Sequence, residues 1–79
     1  MDKDEIRRTL QSVFQDVFDS ESFVFADELS REDLKSWDSL GHIRLISTAE
    51  EAFSVQFTLD EIADLTTAGS FVECLARKL

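Results

Sequence analysis

From Ile6 to Phe18 the apolar residues are Ile6, Leu10, Val13, Phe14, Val17 and Phe18. Steps of four, three and one trace a single stripe down a helix of about 3.6 residues per turn. No proline occurs in the 79 residues, and glycine stands only at Gly41 and Gly69, so little interrupts a helix and few tight turns are available. A chain of this length closes around one modest core. Its single cysteine, Cys74, has no partner for an internal disulfide or a cysteine-built metal site. Packed amphipathic helices must therefore supply the stability.

Asp2 and Glu5 have the spacing of a capping box at the start of the first helix. From Asp19 to Trp37 the periodicity fails, which predicts a long loop pinned by Phe23, Phe25 and Leu29, with a single helical turn starting at Ser30 and Asp33. A second helix is expected from about Ser39 to Phe53. A third, short one begins at "TLDEI", where Thr58 and Glu61 repeat the capping-box spacing and Leu59, Ile62 and Ala63 share a face. The fourth follows "LTTAGS" and gathers Phe71, Val72, Leu75, Ala76 and Leu79. Val55 and Phe57 alternate in the connector, as a brief extended segment would. The expectation is one all-α domain over 1–79: a small four-helix bundle of three longer helices and a short third one, with the long loop between the first and second.

Charge narrows the function. With 17 Asp and Glu against 8 Lys and Arg the net charge is -9, which argues against gripping a nucleic-acid backbone and favours partners with basic patches. A hydrophobic content of 43% is too high for a disordered acidic tail. No apolar run is long enough to span a membrane and no signal-peptide pattern opens the chain, so the expected location is cytoplasmic. The acidic loop lacks the spaced ligands and central glycine of a calcium-binding EF-hand. Ser39 is not in a Gly-x-Ser-x-Gly elbow, and the one histidine, His42, lies three residues from it with no acid placed to orient the ring. No catalytic constellation is present.

On a wheel of about 100° per residue, His42, Leu45, Ile46, Ala49 and Phe53 form the inward stripe of the second helix. Leu40, Ile43, Arg44, Ser47 and Glu51 fall on the opposite side, with Glu50 at its edge. Scattered exposed apolar residues are ordinary, whereas Leu40 and Ile43 together beside a serine also fit a small docking surface. Ser39 has two readings as well. Asp38 and Ser39 both suit a helix cap, and the positive end of a helix also suits a phosphate-linked group on the hydroxyl. Trp37 reads as the anchor of the long loop, His42 as a core-edge histidine satisfied by a hydrogen bond, and Cys74 as a small structural residue.

"WDSLGHIRLISTAEEAF" resembles the Asp-Ser-Leu region and second helix of acyl carrier proteins and the related peptidyl carriers. "VQFTLDEIADLTTAGSFVECL" is similar to that family's third helix, Leu/Ile-Thr-Thr-x-Gly step and fourth helix, so the resemblance spans essentially the whole chain. It implies that Ser39 is modified with covalent 4′-phosphopantetheine by a phosphopantetheinyl transferase and that cargo rides as a thioester on the terminal thiol. Asp38 matches the acidic residue involved in transferase recognition, and Leu40 the apolar residue that partners commonly contact. Ile43, Ser47, Glu50 and Glu51 match further partner-facing positions. The implied partners are the transferase, an acyl- or aminoacyl-loading ligase or acyltransferase, and a downstream synthase or transferase, with the carrier itself a non-catalytic monomer. His42 and Ala49 are candidates for lining a cargo pocket, and the short third helix is expected to move as cargo shelters or emerges. Gly41 after Leu40, and Arg44 where fatty-acid carriers often have an acid, depart from the fatty-acid pattern. "WDSLGH" is more similar to carriers of polyketide and nonribosomal peptide pathways, so a freestanding carrier of bacterial secondary metabolism is preferred. A fatty-acid carrier and, from a different class, an unmodified acidic adaptor with Ser39 as a mere cap are the alternatives.

Overall fold

The N-terminal stripe forms the helix that its spacing predicts. In the computed structural model, which describes residues 1–79, the elements are α1 (Lys3–Val17), α2 (Ser39–Phe53), α3 (Leu59–Asp64) and α4 (Ala68–Lys78). α1 packs on both α2 and α4. Ile6, Leu10, Val13, Phe14 and Val17 are buried along it, followed by Phe18 at its C-cap. The Asp2 carboxylate accepts from the Glu5 N–H at 2.8 Å. Glu5 stays in solvent and does not return the bond, so only half of the expected capping box forms.

The long loop is tied down by its own side chains, as expected. Leu29, Leu34 and Trp37 are buried, and Phe23 and Phe25 pack half-buried against the core. The single turn expected at Ser30 and Asp33 forms and goes no further. Asp33 donates its N–H to the Ser30 carbonyl and accepts the Ser30 N–H on its carboxylate, each at 3.0 Å. That reciprocal closure makes one tight turn. The loop is stitched to the start of α4 by two backbone bonds, Ala68 N–H to Leu29 O and Gly69 N–H to Asp27 O, both 2.9 Å. Asp27 in turn accepts from Arg7 on α1 through both oxygens, at 3.1 and 3.0 Å.

Several expectations in the C-terminal half are corrected. The capping box of Thr58 and Glu61 forms, but no residue of α3 is buried. Leu59 is 85% exposed, Ala63 is exposed, and Ile62 alone of that face packs partly against the core. α3 is held by polar contacts: Lys78 Nζ pairs with Glu61 at 2.8 Å, and the Glu50 carboxylate accepts the Phe57 N–H at 2.9 Å at its entrance. The connector carries no strand. Ser54 turns left-handed (φ 55°) to end α2, and the buried Phe57 and half-buried Val55 pack inward individually. α4 starts inside "LTTAGS", because Thr67 and Ser70 form a capping box that makes Ala68, Gly69 and Ser70 helical. Its buried face is Ala68, Phe71, Val72, Cys74 and Leu75, while Leu79 lies largely outside the core. No helix is long and apolar enough to cross a membrane.

Gly41 is buried in the first turn of α2 because the chain entering the helix passes directly over it. A Cβ added there would stand 2.0 Å from the Ser36 carbonyl oxygen, a backbone atom that cannot swing aside. Gly41→Ala is expected to destabilise the fold by about 1–3 kcal/mol, read as a lowered urea midpoint at unchanged slope.

Candidate functional site

The start of α2 concentrates the residues singled out from sequence. Asp38 is the N-cap, with extended backbone, and its Oδ1 accepts the Gly41 N–H at 2.9 Å. Ser39 is therefore the first residue inside the helix, exposed, and its hydroxyl is left out of the cap. The first backbone N–H groups of a helix have no intrahelical acceptor. Asp38 takes the third of them, leaving those of Ser39 and Leu40 facing out. No acid stands in the first turn. The geometry offers an accessible hydroxyl at the positive end of a fifteen-residue helix.

Leu40 and Ile43 are each 66% exposed, and Arg44, Ser47 and Glu51 share their exposed side of α2. Glu50 is half-buried and spends its carboxylate on the Phe57 N–H, so it braces the connector between α2 and α3. On the flank facing α3, a cleft of about 210 Å³ is lined by His42, Ile43, Ile46, Ser47, Glu50 and Ile62. His42 borders it. Ala49 is fully buried on the inner side of α2 and does not.

His42 is the one buried polar side chain, and both its ring nitrogens are used. Trp37 Nε1–H donates to His42 Nδ1 at 3.0 Å. Because an indole N–H only donates, Nδ1 must be the bare nitrogen, and Nε2–H then donates to the Ile62 carbonyl of α3 at 3.2 Å. Burial pushes the imidazole below its ordinary value of 6.5, the Ile62 bond opposes this, and the positive charge of Arg31 adds to the lowering. Protonation would also set an Nδ1–H against the indole N–H. His42 is thus a neutral linker between the loop, α2 and α3. Cys74 is buried with its Sγ 3.6 Å from Glu61, and burial raises its thiol, the opposite of activation.

Sequence reasoning missed Glu21. Its two carboxylate oxygens accept the successive amides of Lys35 at 2.9 Å and Ser36 at 2.7 Å, immediately before the helix start. A glutamate in an aperiodic loop gives no signal of such a contact, since its partners are backbone groups fourteen and fifteen residues away.

The family model described as the phosphopantetheine attachment site matches residues 5–75, and the chain belongs to that family. Among solved structures, the solution NMR structure of the holo acyl carrier protein from Geobacter metallireducens is similar, at 34% sequence identity and a TM-score of 0.77, covering 89% of this chain and 84% of that one. Among curated proteins, none matches. The group such a chain carries is covalently bound 4′-phosphopantetheine, and members of the family are carriers acted on by phosphopantetheinyl transferases and acyl-handling enzymes. The residues present fit the group. An exposed serine hydroxyl free of capping duty meets the demand for a nucleophilic oxygen, and two outward N–H groups without a nearby first-turn acid suit a phosphodiester.

Two outcomes are expected from this geometry. Asp38→Ala costs about 1 kcal/mol of stability in chemical denaturation while Ser39→Ala costs only a few tenths, because the cap resides on Asp38. Stability also falls as pH drops below 6.5 toward the depressed pKa of folded His42, because the unfolded chain takes up a proton that the folded one refuses. Urea midpoints followed by emission of Trp37, the only tryptophan, show this slope, and His42→Gln flattens it. Through the upper part of this window Glu61, held near pKa about 2 by Lys78 and the Thr58 amide, stays ionised.

Proposed function

We propose that Ser39 is the attachment point of 4′-phosphopantetheine and that the chain carries an acyl or aminoacyl thioester between partner enzymes of a biosynthetic pathway of polyketide or nonribosomal peptide type. The observation that carries this reading is the division of labour at the helix start: Asp38 caps, and Ser39 is exposed with no structural task of its own. The adaptor alternative made Ser39 a cap, a role that Asp38 already fills. When attached, the group supplies a terminal thiol that holds cargo as a thioester.

Each neighbouring residue has a part. Asp38 orders the first turn through the Gly41 amide. Leu40 and Ile43 give partners an exposed apolar anchor, with Ser47 and Glu51 on the same side. Arg44 is the only charged residue from Ser39 to Ala49 in a chain of net charge -9. It favours partner surfaces that offer a carboxylate and disfavours those built only of Lys and Arg, which supports a specialised pathway over docking on basic fatty-acid-synthase surfaces. Contacts of this small, charge-steered kind suit brief gripping by several enzymes in turn. The cleft between α2 and α3, bordered by His42, Ile43 and Ile62, gives the apolar part of a cargo somewhere to lean. Apart from Gly41 at its start, Ala49 presents the least bulk on the buried face of α2 if cargo penetrates further. Glu50 lines the cleft and holds the connector that leads into α3.

Incubation with coenzyme A and a broad-specificity phosphopantetheinyl transferase, followed by intact-mass measurement, tests the proposal. The parent chain is expected to gain the mass of one phosphopantetheine group, and Ser39→Ala none while keeping its cooperative unfolding. No gain on folded parent protein with several transferases overturns it.

A further inference from the structure

We infer that Glu21, outside the recognisable motif, is a positioning residue for the modification of Ser39, an inference that rests on the reading of Ser39 as the attachment point. Glu21 is anchored at the end of α1, where its own N–H donates to the Phe18 carbonyl at 3.1 Å. Its Oε1 accepts the Lys35 amide at 2.9 Å and its Oε2 the Ser36 amide at 2.7 Å. The opposite side of the same short segment is pressed against α2: the Ser36 carbonyl oxygen occupies the space where a side chain on Gly41 would begin. Residues 35 and 36 are thus gripped from both sides, by a carboxylate through their amides and by the first helical turn through a carbonyl. The chain then runs straight into the buried Trp37, the cap Asp38 and Ser39.

The consequence is directional. Charge-assisted bonds to two successive amides are among the stronger backbone contacts available to a carboxylate, and hydrogen bonds from Ser36, then from Lys35, hold Glu21 below the usual carboxylate range. They fix the chain's approach to α2 from outside the helix, whereas Asp38 fixes it from within. In the modification step a bond forms between Ser39 Oγ and the pantetheine-side phosphorus of coenzyme A. The pyrophosphate P–O bond breaks, the adenosine bisphosphate leaves, and the hydroxyl proton passes to a base of the transferase. Small errors in the placement of an attacking oxygen are costly, since misplacement of about 1 Å can cost a hundredfold in rate. The proposed docking residues Leu40, Ile43 and Arg44 lie further along α2 and take no part in the hydrogen bonds between Glu21 and the Lys35 and Ser36 amides, so binding and orientation are separable.

Steady-state phosphopantetheinylation by a broad-specificity transferase with coenzyme A, read by intact mass, tests this on the full chain. Glu21→Gln keeps the length but offers one acceptor oxygen and turns an NH₂ toward the second amide. It is expected to lower kcat about tenfold and to leave KM for the carrier within about twofold, with native Trp37 emission. Arg7→Ala breaks the pair to Asp27 on the same loop, away from Lys35 and Ser36, and is expected to lower stability without lowering kcat. Glu21→Asp retains the charge with a shorter reach, and the same split in smaller degree is expected there, which decides the matter if the Gln variant fails to fold. Unchanged kcat in both Glu21 variants, a loss confined to KM, or an equal loss of kcat in Arg7→Ala overturns the inference. An unmodified parent chain overturns instead the reading of Ser39, a result visible before any variant is made.

Discussion

The hydrogen bond from the Trp37 indole to His42 is the contact on which the rest of this small structure hangs. The Trp37 ring comes from the loop yet sits in the core, edge-on to Phe14 at 5.4 Å and within 6.0 and 6.4 Å of Phe18 and Phe71, so α1 and α4 meet on it. A buried indole N–H needs an acceptor. His42 can accept only as the tautomer that bears its proton on Nε2, and that proton then needs an acceptor of its own, which the Ile62 carbonyl supplies. One buried donor thereby dictates a chain of three residues crossing from loop to α2 to α3. No buried side-chain polar atom is left unpaired. Because α3 buries no residue, this chain and the ion pair of Glu61 with Lys78 stand in for the apolar face that the short helix does not insert.

That substitution explains where sequence reasoning succeeded and where it failed. The inward residues of α2, His42, Leu45, Ile46, Ala49 and Phe53, were legible because a long helix averages its periodic signal over four turns. α3 has six residues, too few for Leu59, Ile62 and Ala63 to distinguish a buried face from a coincidence. Its real attachments are its own Ile62 carbonyl and Glu61 carboxylate, which meet the His42 ring and Lys78 from elsewhere in the chain. Leu34, buried in the loop, and Glu21, clamping it, were illegible for the same reason: both act through contacts with no local period. Ser39 and Asp38 were correctly located at the helix start. Which of the two caps was open until the backbone placed Asp38 outside the first turn and Ser39 inside it.

Gly41 carries a related lesson. As a letter in "DSLGH" it is merely a departure from the acid-rich helix starts of fatty-acid carriers. In three dimensions it is the one residue type that lets Ser36 lie on α2, since any Cβ would strike a carbonyl oxygen. The helix start has no acid of its own beyond the cap, an electrostatic setting that suits the phosphodiester proposed for Ser39.

The eight residues from Ser36 to Ile43 show how a chain this small serves both demands at once. Ser36 works through its backbone, Trp37 and His42 through buried rings, Asp38 through its cap and Gly41 through having no side chain. All the rigidity of the segment resides in those five. Ser39, Leu40 and Ile43 contribute none of it and stand outward. A carrier's serine must be held still for modification and then face a succession of partners without being part of what holds it. That separation is achieved when the constraints enter through the backbone and the neighbouring side chains, and the side chains proposed for attachment and docking are released from structural duty. In the proposed role, the exposed hydroxyl and its apolar neighbours change partners without drawing on the stability of the core.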